Sequence, residues 1–123
     1  MKPSLVVDED SPPALAPAVQ KLRPGWQATS VRDRRWLGLK DATLLEVLHA
    51  EGAALLSRDR STLNDWLSER AALGEEHAGV LFWDLERWQT AQGSVAIGSL
   101  ARAVVRTVER FDGDLRNVVA TVT

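Results

Sequence analysis

The chain has 123 residues, 45% of them apolar and 26% charged, enough for one globular domain with one core, expected over residues 1–123. Its net charge of −2 gives no overall field to draw in nucleic acid, and the absence of cysteine excludes disulfides and thiolate metal sites. No apolar run is long enough for a membrane span, and the N-terminus lacks the basic region and apolar core of a signal peptide, so a cytoplasmic protein with no membrane partner is expected.

Residues 4–8 are expected as a buried strand, because Leu5, Val6 and Val7 run continuously rather than alternating with polar residues. Ser11 is placed to cap a helix that carries Pro12 and Pro13 in its first turn and Leu15, Val19 and Leu22 on its inner face. Arg23-Pro24-Gly25 stops it, and Trp26 to Val31 reads as a second strand ending at Arg32-Asp33. After a loop over 34–40, Asp41 is expected to cap a helix facing inward through Leu44, Leu45, Val47 and Leu48, with Gly52 at its end. Residues 53–57 form a third strand, and Ser61 or Thr62 opens a helix that buries Leu63, Trp66, Leu67 and Ala71. Gly79 to Trp83 is a fourth strand. Ser94 is expected to cap a long helix striped by Ile97, Leu100, Ala101, Val104, Val105, Val108 and Phe111, and Val118 to Val122 closes the chain as a fifth strand.

Helices alternating with short apolar strands imply an α/β fold, a three-layer α/β/α sandwich around a mostly parallel five-stranded sheet. A strand order of 2-1-3-4-5 makes the first and third strands neighbours. Both end in aspartate, at Asp8 and Asp59, on the edge where open α/β sheets bind ligands. Asp10, Asp41 and Asp84 fall on the same edge. Two carboxylates about 4 Å apart repel by roughly 4 kcal/mol at an effective dielectric near 20. A hard divalent cation would offset this, and Mg²⁺ favours a site with few direct carboxylates and several waters. Taken singly, Asp41 also reads as a helix cap and Asp84 as a solvated loop acid.

Two known families place acids there. A response-regulator receiver has this length and acids after strands 1 and 3, but it needs a lysine after strand 5, and no lysine follows Lys40. The closer resemblance is to small bacterial PIN-like proteins, relatives of the VapC-type toxin nucleases. These open with a strand and Asp-Glu-Asn-Leu-Pro, where this chain has Asp8-Glu9-Asp10-Ser11-Pro12. Val31-Arg32-Asp33, Lys40-Asp41-Ala42-Thr43-Leu44 and Leu56-Ser57-Arg58-Asp59-Arg60 resemble the later motifs in the family's order and spacing, the last of them standing for Thr-Arg-Asp-Lys-Asp-Phe. Two departures stand out: Ser61 replaces the second acid of that last motif, and Asp10 replaces the usual Asn.

The resemblance implies a Mg²⁺- or Mn²⁺-dependent ribonuclease, expected as the toxin of a toxin–antitoxin pair. Asp8 and Asp59 would be direct metal ligands, Asp41 a ligand or a water-orienting group, and Asp10 and Asp65 further candidates. Asp65 or Asn64 would stand in for the acid missing at Ser61. Arg58 and Arg60 would contact the RNA backbone, as would Arg32 and Arg35, which with Arg34 surround Trp36 in a group suited to stacking a base, a solvated loop with Trp36 tucked into the core being the competing reading. A small cognate antitoxin and a homodimer are the partners implied. Trp83 and Trp88, if exposed, would form an anchor for such a partner, core packing being the competing reading. The loss of an acid at Ser61 favours a second class of function, a catalytically inactive PIN-like interaction module. His49 and His77 have no partners at catalytic or ligand spacing and are expected to be surface or packing residues.

Overall fold

A computed structural model of the protein describes residues 2–123, the side chains of residues 61 and 62 excepted. Its elements run β1 (Ser4–Val7), α1 (Leu15–Leu22), β2 (Gln27–Ser30), α2 (Asp41–Glu51), β3 (Ala54–Ser57), α3 (Ser61–Ala72), β4 (Val80–Phe82), α4 (Leu85–Trp88), α5 (Ile97–Glu109) and β5 (Val119–Thr121). The strands form one sheet in the order β2-β1-β3-β4-β5, with every neighbouring pair parallel. This is the order expected from the sequence, and the five strands fall within two residues of their expected limits.

A parallel sheet needs cover on both faces, and the central strands show why. Leu5 and Val7 of β1 point into one cluster with Leu15 and Val19 of α1 and Leu100, Val104 and Val108 of α5. Val6, between them, points the other way, into Leu44, Leu45 and Leu48 of α2 and Leu63 and Leu67 of α3. Each of Leu5, Val6 and Val7 is at most 2% exposed, worth about 1.5–3 kcal/mol apiece in apolar burial. A continuous apolar run therefore marks a strand buried on both faces.

Several local expectations are corrected. α1 begins at Leu15, with Ala14 at its N-cap position and no capping side chain, so Pro12 and Pro13 lie in the turn before it. Ser11 is buried and does not cap; its hydroxyl accepts a 2.8 Å hydrogen bond from the Trp83 indole N–H. Asp41 is the first residue of α2 rather than its cap, which is Lys40. Ser94 closes a loop with Thr90, and the N-cap position of α5 falls to Ala96. Phe111 lies beyond the end of α5 and is exposed. On α3, Ala71 is exposed because Arg70 takes the inward position. The Arg70 guanidinium stacks 4.5 Å from the centre of Trp66 and donates to the Glu76 carbonyl. No helix among the described residues is long and apolar enough to cross a membrane.

The N-terminal edge of the sheet is closed by tight packing. Gly79 sits at φ +109°, where an added Cβ would collide with the Leu115 carbonyl oxygen. Its N–H donates to Nδ1 of His77, and the His77 N–H donates to the Asn117 side chain. Burial, then the charges of Arg70 and His49, pull the His77 pKa below its ordinary value. His77 is thus a neutral packing residue, as expected.

Candidate active site

The opposite edge carries the acids. β1 ends at Val7, opposite Leu56 of β3, and the Asp8 N–H continues the ladder by donating to the Leu56 carbonyl at 2.9 Å. This register sets Asp8 beside Ser57, the last residue of β3, which is wholly buried. The Ser57 hydroxyl donates to Oδ2 of Asp8 at 2.8 Å and accepts from the backbone N–H of Asp59 at 3.2 Å. The other Asp8 oxygen accepts from the Glu9 N–H at 2.8 Å. One serine hydroxyl therefore joins the two acids that end neighbouring strands.

Asp8 is the strained member of the group. Burial raises its pKa most; the hydrogen bonds from Ser57 and Glu9 oppose this, and the like charges of Asp10 and Asp41 raise it further. So Asp10 and Asp41 do lie within electrostatic reach of Asp8, as the sequence suggested. Asp65 is exposed on α3, and no contact among the described residues joins it to Asp8. Ser61 is the first residue of α3, and what its side chain does lies outside the described residues.

Two cavities flank this rim and share no lining residue. One, of about 290 Å³, lies over the ends of β1 and β2 and is lined by Asp8, Glu9, Ser11, Ser30, Arg32 and Asp33. The other, of about 560 Å³, lies over the ends of β3 and β4 and includes Arg58, Arg60, Trp83, Leu85 and Arg87. Between them runs the junction of β1 and β3, where the chain order reverses direction across the sheet. This is the topological switch point at which α/β sheets hold ligands.

A family model of the PIN-like domain matches residues 3–84. The chain belongs to the PIN-like domain family. The match runs from β1 to the end of β4 and so contains Asp8, Asp10, Asp41, Ser57 and Asp59. No curated protein and no solved structure matches the chain. PIN-like domains have a nuclease-type fold and commonly use divalent metals, which makes the acids the first place to test for an ion.

Among the described residues no three His, Asp or Glu side chains are gathered closely enough to form a ligand cage. The charge balance at Asp8 nonetheless fits a cation. Its carboxylate is opposed by burial and by two neighbouring acids, and the groups that stabilise its charge are the neutral Ser57 hydroxyl and the Glu9 N–H. The residues present suit an ion that binds one or two carboxylates directly and keeps most of its waters, as Mg²⁺ does.

The expected arginines have diverged in role. Arg32 shares the cavity of Asp8, and Arg35 is exposed three residues on, at φ +61°. Arg34 pairs with Glu51 and lies 4.6 Å over Trp36, which packs against the core, so of the two readings of this group the tucked-in tryptophan holds. Arg60 bonds to Asp84 at 3.1 Å and to the Thr121 hydroxyl at 3.1 Å, tying together the ends of β3, β4 and β5. Of the two readings of Trp83 and Trp88, core packing holds and the exposed anchor does not: Trp83 is wholly buried and Trp88 packs against the core. Sequence reasoning missed Ser57, although its place before Arg58-Asp59, where the family has Thr, was the available signal. It also missed Arg87, which no motif marks.

Proposed function

We propose that this PIN-like protein is a Mg²⁺- or Mn²⁺-dependent ribonuclease that hydrolyses RNA phosphodiester bonds at the rim between β1 and β3. The observation that carries the reading is Asp8, a carboxylate at the switch point that is half-buried, charge-opposed and oriented by a wholly buried serine. A bound divalent ion would supply a water of lowered pKa and positive charge against the reacting phosphate. Asp8 would hold the ion through the oxygens that Ser57 and the Glu9 N–H orient. Asp59 and Asp41 would complete the direct set or orient the water, with Asp10 adding charge. Asp65 is the weakest member, being exposed on α3. Arg32, Arg35, Arg58 and Arg60 would meet the RNA backbone, Arg32 from inside the Asp8 cavity.

The biological setting we propose is the toxin of a toxin–antitoxin pair, working in the cytoplasm, with a small cognate protein covering the rim and a homodimer as the assembly. A second reading, an inactive PIN-like interaction module, is favoured by Ser61 and by the lack of a three-acid cage among the described residues. Cleavage of a panel of single-stranded RNAs in Mn²⁺ separates the two. The nuclease reading expects cleavage by wild type that is stopped by EDTA and absent from Asp8→Asn. No cleavage by purified protein free of any bound partner would leave the interaction module.

A further inference from the structure

We propose that the cavity over the ends of β3 and β4 is a subsite for the nucleotide next to the cleaved bond, with Arg58 and Arg87 gripping its phosphate. The inference rests on the ribonuclease reading for its place beside a cleaved bond. Its evidence is separate, because none of the cavity's lining residues belongs to the Asp8 cavity.

The cavity's size, about 560 Å³, falls within the range of small-ligand sites. Its charges sort themselves by partner. Asp84 is occupied by Arg60, and that pair is further tied to Thr121. The acid remaining on the wall is Glu86, set against two exposed arginines, Arg58 and Arg87. Among the described residues neither of these makes an ion pair or a hydrogen bond. Each instead lies over an indole ring, Arg58 at 6.0 Å from the centre of Trp83 and Arg87 at 5.6 Å from Trp88. A cation–π contact uses the charge of a guanidinium without consuming its N–H donors, which stay available to phosphate oxygens.

The indoles also hold the two side chains in place before any ligand arrives, which lowers the entropy cost of binding. Trp83 is itself fixed by the hydrogen bond from its N–H to Ser11, in the same loop as Asp8. The side chain of Leu85 adds an apolar wall suited to the flat face of a base or sugar. The two cavities lie over adjacent strand pairs, so their centres are about 10 Å apart across the rim. A single ligand reaching both is a strand of nucleotides with one phosphate at Asp8 and a neighbouring one between Arg58 and Arg87.

The test measures binding apart from chemistry. In an Asp8→Asn background without metal, binding of a fluorescein-labelled 12-nucleotide single-stranded RNA is followed by anisotropy across a salt series. Arg87→Gln should weaken binding about tenfold, and Arg58→Gln/Arg87→Gln more. The salt slope should fall by about 0.7 for each arginine that no longer meets a phosphate. Arg102→Gln, an equal change of charge on the exposed surface of α5, should alter little. In the otherwise wild-type protein, Arg87→Gln should raise KM for RNA cleavage and leave kcat alone. Unchanged affinity and slope in the double variant, or an equal weakening in Arg102→Gln, overturns the subsite. Arginine-dependent binding without any cleavage by wild type would keep the subsite and discard the nuclease. Cleavage indifferent to Arg58 and Arg87 would do the reverse.

Discussion

The two edges of the sheet are built on opposite terms. At the N-terminal edge, polar groups are answered by other protein groups: Gly79 by His77, and His77 by Asn117, with Gly79 pressed against the Leu115 backbone. The buried ionisable group there, His77, is held neutral, so its burial costs no charge. At the C-terminal edge a half-buried carboxylate faces two other acids, and two arginines lie over indole rings with no ion pair or hydrogen bond among the described residues. Edges of the first kind hold a fold together. Edges of the second kind carry electrostatic demands that a bound ligand would meet, and the proposed site is placed there for that reason.

The sharpest way to break this contrast is Asp8→Asn. It should lower RNA cleavage by at least about a hundredfold. The same change should stabilise the fold at neutral pH. A raised pKa means the folded state binds the Asp8 proton more tightly than the unfolded chain does. Native stability therefore drops as pH climbs from the ordinary aspartate value through the raised one, and stays lower above it. The advantage of the variant should vanish below the ordinary aspartate range, as urea melts across pH would show. Gly79→Ala should do the opposite. Strain at positive φ and the clash with Leu115 should cost about 3 kcal/mol of stability, while cleavage per folded molecule is retained.

Ser57→Ala sits between the two. It removes a buried donor to Asp8, so metal affinity should fall about tenfold and stability by roughly 1–2 kcal/mol, measured by Mn²⁺ titration and chemical melts. The smallest effect belongs to His77. Its lowered pKa favours the fold above the ordinary histidine value, and this contribution is lost as pH falls through that value toward the lowered one. His77→Gln should flatten the stability curve in that window and leave the pH dependence of cleavage untouched.

The arrangement of the sheet was legible because each central strand is an unbroken apolar run and the helices that cover it carry apolar stripes, signals that survive any tertiary context. Asp8 was legible for the same reason, as an acid that ends a buried strand. Helix starts were not. Ser11, Asp41 and Ser94 all suit the cap position, but Ser11 has a better partner in Trp83, 72 residues away, and Ser94 has one in Thr90. The inward turn of Arg70 at the expense of Ala71 depends on the ring of Trp66 and the Glu76 carbonyl. The roles of the arginines were hidden likewise. Arg34, Arg58 and Arg60 look alike in sequence, and only the positions of Glu51, Trp83 and Asp84 separate an ion pair from a guanidinium left with open donors.

The most direct measurement is the melting temperature of wild type and Asp8→Asn, each in EDTA and in Mn²⁺. A divalent ion anchored on this carboxylate predicts that wild type melts higher with Mn²⁺, while the variant starts higher and gains nothing. Equal gains in both proteins, or none in wild type, would mean that Asp8 does not hold a metal.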